Sequence, residues 1–313
     1  MKIIAVDHYF DAAYADLIRG RFPHVDVVHA KRFADVPVGE FEAADAMFAL
    51  GHLFTEEWVA RNPALRWIQA LTTGTDAIMP LLARRPHVLV TNARGIHVPQ
   101  MSEMAFAHML SLVHRLPAMW QNQQASRWER WPQALLYRKT IFILGTGSIA
   151  AGLARRCKAF DMRVVGVSAT PRLIEHFDDV IGRESLHEAL QEADIVVSLL
   201  PSDSLNDGLV DGRFFACMKP TAFFINMSRG RIVDEQALVN ALESGRIAGA
   251  ALDAFAIEPL PSDSPLWRAR HLIVSPKHGG TTEIYVEQIA PILLHNIDAF
   301  LGDRPGDMLN RVR

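Results

Sequence analysis

The chain has 313 residues, with 32 Lys and Arg against 35 Asp and Glu and a formal net charge of −3. That length suits two domains, and with 50% hydrophobic and 21% charged residues the balance is that of an ordinary soluble globular chain, without the basic excess that nucleic acid or an anionic membrane surface would require. Only Cys157 and Cys217 are present, in no spacing that suggests a disulfide scaffold or a zinc site, so no metal is expected.

The opening segment is apolar only at Ile3, Ile4, Ala5 and Val6 before it meets Asp7. That predicts a strand and not a signal peptide, whose apolar stretch is longer. No run reaches the roughly 18 apolar residues of a membrane span, and the cytoplasm is the expected compartment. Strands are then predicted over 25–28, 46–49, 67–70 and 88–91, with amphipathic segments over 12–19 and 55–61. Thr55, three residues before Trp58, is a candidate N-cap. A long helix is predicted over 99–116, ending before Pro117 as helices tend to do. The piece from 117 to 132, with Trp120, Trp128 and Trp131, is expected to be irregular.

From residue 140 a second series begins, with strands over 140–144, 163–167, 195–200, 222–226, 249–253 and 272–275. These runs are continuously apolar instead of alternating, as expected of parallel strands covered by helices on both faces. A final helix over 283–301 is long enough to return to the first domain. The expected fold class is therefore α/β, with two Rossmann-like, doubly wound parallel-sheet domains. One is discontinuous, 1–98 plus 284–313, and the other is a dinucleotide-binding domain over 99–283.

The strand over 140–144 runs directly into Gly145, Thr146, Gly147, Ser148, Ile149 and Ala150, followed by a helical pattern. Such a turn lacks side-chain obstruction, so backbone N–H groups at the helix start can approach a pyrophosphate. The strand before, the helix after and the next strand over 163–167 supply the βαβ context that gives this motif its meaning. Gly145, Thr146, Gly147, Ser148 and Ile149 are the expected cofactor cradle. Where an NAD site places Asp or Glu for the ribose hydroxyls, this chain has Ser168, followed by Thr170 and Arg172. Hydroxyls and a guanidinium suit a 2′-phosphate that a carboxylate would repel. NADP(H) is thus favoured, with NAD(H) possible.

Several ordered motifs then carry a resemblance. Asn226, Arg229, Gly230, Val233, Asp234 and Glu235 resemble the N-x-x-R-G-x-x-V-D-E segment of the D-isomer-specific 2-hydroxyacid dehydrogenases. Gly249, Ala250, Ala251, Leu252 and Asp253, then Glu258, Pro259 and Leu260, resemble that family's G-A-A-L-D and E-P-L segments. Thr72, Thr73 and Gly74 resemble its substrate-domain loop, and the stretch from Asn92 through His97 to Glu103 its interdomain segment. The resemblance implies an active site in a cleft between two domains. There Arg229 grips the substrate's carboxylate and keto oxygen, and Thr73 and Gly74 offer backbone N–H groups to the carboxylate. Asp253 sits near the nicotinamide, Pro201 joins the cofactor-binding residues, and Glu258 orients the acid/base residue. It further implies a homodimer, for which the helix over 99–116 and the tryptophans after it are candidate contacts.

One departure matters for the chemistry. The family's proton donor is a histidine in a P-H-x-x-x-x-T context, but this chain reads Pro276, Lys277, His278, Gly279, Gly280, Thr281, Thr282. In register with Pro276 and Thr282, Lys277 occupies the histidine position and His278 is one step late. Lys277 is the acid, or a small loop shift presents His278, or the site is degenerate. Hydride addition to a ketone makes an alkoxide that an ammonium can protonate, whereas the reverse reaction needs a neutral amine that is scarce near neutral pH. Reduction is therefore the expected direction, and the resemblance implies as substrate a small 2-keto acid of the glyoxylate/hydroxypyruvate type, giving the D-2-hydroxy acid. A bulkier substrate such as phenylpyruvate, or a nucleotide-sensing binding protein on the same fold, are the other readings. The remaining histidines are expected at a helix boundary or on surface segments.

Overall fold

The computed structural model describes residues 1–201 and 203–313 and divides the chain into two compact units, Met1–Ile96 with Thr282–Arg313, and His97–Thr281. In the first unit β1 (Lys2–Val6), α1 (Ala13–Arg21), β2 (Asp26–Ala30), α2 (Val38–Glu42), β3 (Ala46–Ala49), α3 (Glu56–Ala60), β4 (Trp67–Ala70) and β5 (Leu89–Thr91) follow in order. The strands form an all-parallel sheet ordered β2-β1-β3-β4-β5. All of β3 and β4 is buried, which is why these segments read as apolar runs. Thr55 caps α3, its hydroxyl accepting from the Trp58 N–H at 3.4 Å. The C-terminal helix Tyr285–Leu301 completes this unit, burying Ile289, Leu293 and Ile297 against the core that contains Tyr14, Phe48 and Trp67. The Tyr285 hydroxyl donates to the Leu71 carbonyl just past β4.

The second unit runs α4 (Val98–Val113), α5 (Leu116–Gln124), β6 (Thr140–Leu144), α6 (Ser148–Ala159), β7 (Arg163–Val167), β8 (Asp179–Ile181), α7 (Leu186–Ala189), β9 (Ile195–Ser198), α8 (Gly212–Cys217), β10 (Phe223–Asn226), α9 (Glu235–Glu243), β11 (Gly249–Leu252) and β12 (Leu272–Val274). Its seven parallel strands are ordered β12-β11-β10-β9-β6-β7-β8. The chain proceeds outward from β6 through β7 to β8, then returns to β9 on the other side of β6 and proceeds to β12. The reversal between β6 and β9 is the topological switch point at which open α/β sheets bind ligands, outside the carboxyl ends of the strands.

The structure corrects several of the expected elements. The helix expected over 99–116 is two helices, α4 and α5, because Arg115 adopts a left-handed backbone (φ +56°) and ends the first. The stretch expected to be irregular from 117 begins inside α5, where Pro117 occupies the first turn and its missing N–H costs nothing. β8 is an additional strand at the sheet edge; its three residues are too short and too exposed to read as an apolar run. Strands β11 and β12 also stop one residue short of the expected 253 and 275, which leaves Asp253 and Ser275 just past the strand ends.

Candidate active site

Gly145 follows β6 directly with φ +92°, and a Cβ added there would lie 3.3 Å from the Leu199 carbonyl oxygen of the β9 connection. Only glycine takes this backbone without strain. Gly147 is the N-cap of α6, and nothing lies within 4 Å of where its Cβ would be. A glycine cap has no side chain to occupy the first-turn N–H groups of Ser148, Ile149 and Ala150, so the start of this 12-residue helix is open to an anion. Thr146 lies in the turn between the two glycines. Just beyond β7, Ser168 is half-buried, and its hydroxyl accepts from the Thr170 N–H at 3.2 Å. Thr170 and Arg172 are exposed, and residues 168–172 carry no carboxylate. Pro201 follows β9 and is exposed; its carbonyl accepts from the Asn206 amide at 2.8 Å. An open helix N-terminus beside a glycine turn, with hydroxyls and a guanidinium after the second strand, fits a dinucleotide.

The carboxyl ends of β10, β11 and β12 lie side by side, with Asn226 in register with Leu252 and Leu252 with Val274. Register therefore gathers residues separated by some 50 positions in the chain. Past β10, the buried Asn226 donates to the carbonyls of Arg229 (3.1 Å) and Ala254 (3.4 Å) and accepts from the Ser228 N–H and hydroxyl at 3.2 and 2.6 Å. The Ser198 and Ser228 hydroxyls are 2.9 Å apart. This network fixes the backbone that carries Arg229, which is half-buried and donates from Nη1 to the Ser228 carbonyl at 3.0 Å. Gly230 packs so closely on Phe255 that a Cβ would fall 1.8 Å from its carbonyl carbon, which welds the arginine loop to the loop after β11.

Past β11, the Glu258 carboxylate accepts the Phe255 N–H at 3.1 Å on one oxygen and the Lys277 ammonium on the other. Lys277 lies past β12 with φ +56°, and its N–H donates to the Ser275 carbonyl at 2.9 Å. His278 begins the short 3-10 turn His278–Gly280, with its side chain exposed. Asp253 is buried, and both its oxygens are engaged: Oδ1 by the Ser275 hydroxyl (2.6 Å) and the His278 N–H (2.9 Å), Oδ2 by the Gly279 N–H (3.0 Å). In the first unit, Thr73 is exposed and Gly74 half-buried past β4. The Thr72 hydroxyl braces that loop, accepting from the Gly51 N–H at 3.2 Å and donating to the Gly74 carbonyl at 2.9 Å, while the Asn92 amide donates to the Thr73 carbonyl at 2.9 Å.

Two residues of this network escape the sequence reading. Asn226 was visible only as part of a motif, not as the group that fixes Arg229. Along the chain His108 reads as one more histidine, yet on α4 it is 3% exposed and its Nε2 lies 3.2 Å from the Ser275 hydroxyl. Its signal was present: Ala105, Met109 and Leu112 share its buried face at helical spacing. Among the described residues, no group of three His, Cys, Asp or Glu side chains could hold a metal ion, and no helix is long and apolar enough to cross a membrane.

Residues 106–279 match the model of the D-isomer specific 2-hydroxyacid dehydrogenase NAD binding domain. Over 258 residues the chain is 31% identical to a glyoxylate reductase of Korarchaeum cryptofilum, covering 80% of this chain and 77% of that one. A D-isomer specific 2-hydroxyacid dehydrogenase family protein of Aeromonas salmonicida has a similar structure, with a TM-score of 0.91 and 32% identity over 100% of this chain and 98% of that one. A D-isomer specific 2-hydroxyacid dehydrogenase of Xanthobacter autotrophicus Py2, solved with NADPH and MES, gives a TM-score of 0.83 and 28% identity over 100% and 98% of the two chains. Two parallel-sheet units, a glycine turn at the switch point and an Arg–Glu–Lys edge on the same sheet agree with that family model across more than half of the sequence: the chain belongs to the D-isomer specific 2-hydroxyacid dehydrogenases, oxidoreductases that use NAD(P).

Proposed function

We propose that the protein reduces a small 2-keto acid of the glyoxylate/hydroxypyruvate type to the D-2-hydroxy acid, with NADPH favoured over NADH and Lys277 as the proton donor. The observation that carries the reading is the Lys277–Glu258 ion pair beside the Arg229 loop. It gives an ammonium the orienting carboxylate that an acid/base residue needs, whereas the exposed His278 side chain has no carboxylate partner among the described residues. NADPH supplies the hydride when bound. Gly145, Thr146, Gly147, Ser148 and Ile149 hold its pyrophosphate, and Ser168, Thr170 and Arg172 favour its 2′-phosphate over a bare ribose. Pro201 lines the same carboxyl edge.

The Arg229 guanidinium binds the substrate carboxylate and polarises its keto oxygen, which planar, permanently charged donors do well. Thr73 and Gly74 offer backbone N–H groups to the same carboxylate. Lys277 delivers a proton to the oxygen as it gains charge, and Glu258 keeps the ammonium aimed. A homodimer belongs to the same reading; it is supported by Trp120 and Trp128, which are 63% and 93% exposed.

The test is oxidation of NADPH followed by absorbance with glyoxylate, hydroxypyruvate and phenylpyruvate, using the wild type, Lys277→Ala and His278→Ala. General acid catalysis contributes about 100- to 10,000-fold, so Lys277→Ala should lose a factor in that range while His278→Ala stays within a few-fold of the wild type. The reverse ranking would move the proton donor to His278. A wild-type protein that binds NADPH but consumes none with any keto acid would overturn the reading in favour of a sensor.

A further inference from the structure

The turn that carries Lys277 is an unfavourable piece of backbone. A left-handed conformation is unfavourable for a non-glycine residue, because its Cβ crowds the following carbonyl oxygen, and Lys277 adopts it with φ +56° and ψ +42°. The next two backbone N–H groups, of His278 and Gly279, both point at the Asp253 carboxylate, at 2.9 and 3.0 Å. Gly279 fits only as glycine, because a Cβ there would lie 2.9 Å from Asp253 Oδ2 and 2.7 Å from the Met227 methyl. The carboxylate therefore acts as the anchor of the turn.

What anchors the carboxylate is a buried chain of hydrogen bonds that reaches back to α4. The Ser275 hydroxyl lies 2.6 Å from Asp253 Oδ1, and on its other side it lies 3.2 Å from His108 Nε2. A hydroxyl has one proton, and the short contact to a carboxylate claims it. The longer contact must then run the other way, with His108 Nε2–H donating to the Ser275 oxygen. Burial of His108 lowers its pKa, which favours the neutral ring, while the charge of Asp253 opposes that shift. Without that donor the Ser275 oxygen loses the partner that orients it, and its hydroxyl is held less firmly on Asp253 Oδ1 against the alternative acceptor, the Leu252 carbonyl at 3.4 Å.

We infer that His108, 3% exposed and remote in sequence from the reaction, is a positioning residue that holds the Lys277 turn in its active shape through Ser275 and Asp253. The chain is directional: His108 donates a hydrogen bond to Ser275, Ser275 donates one to Asp253, and Asp253 accepts the two turn amides. This assignment rests on the proposal that Lys277 is the proton donor, and its test is arranged to separate the two.

The variants are His108→Leu, which fills the space without a donor, and His108→Gln, whose amide nitrogen can stand near the position of Nε2. Displacing a catalytic group by about 1 Å costs up to a hundredfold. His108→Leu should therefore lower kcat by about 10- to 100-fold while leaving KM for the keto acid and for NADPH within twofold. His108→Gln should recover most of the loss, and Ser275→Ala added to His108→Leu should cost little more, since both break one chain. Hydrogen–deuterium exchange over residues 276–281, read by mass spectrometry, should quicken in His108→Leu and return to the wild-type rate in His108→Gln. A His108→Leu protein with wild-type kcat, or one whose loss the Gln variant fails to recover, overturns the inference. If the wild type itself reduces no keto acid, the functional reading fails, and the exchange measurement decides the positioning role alone: unchanged exchange in His108→Leu rejects it, and faster exchange upholds it.

Discussion

At the carboxyl edge of β6 and β7 the protein withdraws its side chains, and at the carboxyl edge of β10, β11 and β12 of the same sheet it crowds them. The first region works through glycines: Gly145 in a left-handed backbone beside the Leu199 carbonyl, and Gly147 capping α6 with nothing within 4 Å of where a Cβ would stand. The second works through saturated hydrogen bonding. Asn226 satisfies two carbonyls, Asp253 takes three donors, and Glu258 joins a backbone N–H to Lys277. On the proposed function, the difference follows from what each region would recognise. A pyrophosphate is bound by backbone N–H groups that need clearance. A small keto acid offers few atoms, so orientation must come from side chains whose own positions are fixed by a further layer of partners.

The contrast can be broken at its strongest point by removing a side chain from the crowded region. Arg229→Ala should lower kcat/KM for the keto acid by roughly 100- to 1,000-fold, the cost of losing one charge-stabilising donor, while the dissociation constant for NADPH, measured by fluorescence titration, stays within about threefold of wild type. Equal losses in both quantities would mean that the two regions are not separable. Next in size is Asn226→Ala. It orphans buried carbonyls and the Ser228 donor, and should destabilise the protein by about 2–4 kcal/mol in urea unfolding. A stability change under 1 kcal/mol would show that the network is ornamental to folding.

The sparse region should respond more gently. Arg172 is exposed, so Arg172→Ala should raise KM for NADPH by about tenfold, near the low end for a hydrogen bond to a charged group, and leave KM for NADH unchanged. Parallel shifts in both cofactors would remove the case for 2′-phosphate recognition. The smallest effect concerns pH. Burial lowers the pKa of His108 from its ordinary value of 6.5, with Asp253 opposing. The unfolded chain therefore takes up a proton at His108 at a higher pH than the folded protein does, so stability is full above about 6.5 and declines as pH falls from there toward the lowered value. Urea midpoints at pH 7.5 and 5.5 should show a drop that is smaller in His108→Gln; an identical drop in both would exclude His108 as its source.

Much of this was legible along the chain. Continuous apolar runs marked strands buried on both faces, and β1, β3, β4, β6 and β7 occupy the residues their patterns predicted. The glycine turn was legible because its requirement is local: strand, clearance and helix start all lie within about ten residues. The break between α4 and α5 was not, since nothing in the composition of Arg115 announces a left-handed backbone, and the edge strand β8 was too short to carry a pattern.

Residue type and short spacing were enough for the two parallel sheets, the glycine turn, the neutral residue after β7 and the set of charged residues available for chemistry. These are matters of residue type and short spacing, to which periodicity and local sterics answer directly. The folded sheet was needed to show that Lys277 pairs with Glu258, that Asp253 turns inward to the loop amides, and that His108 reaches Ser275 from a helix some 167 residues away. Those partnerships depend on which strand ends lie adjacent in the sheet and on where a single hydroxyl proton can go, and neither is written in the spacing of residues along one chain.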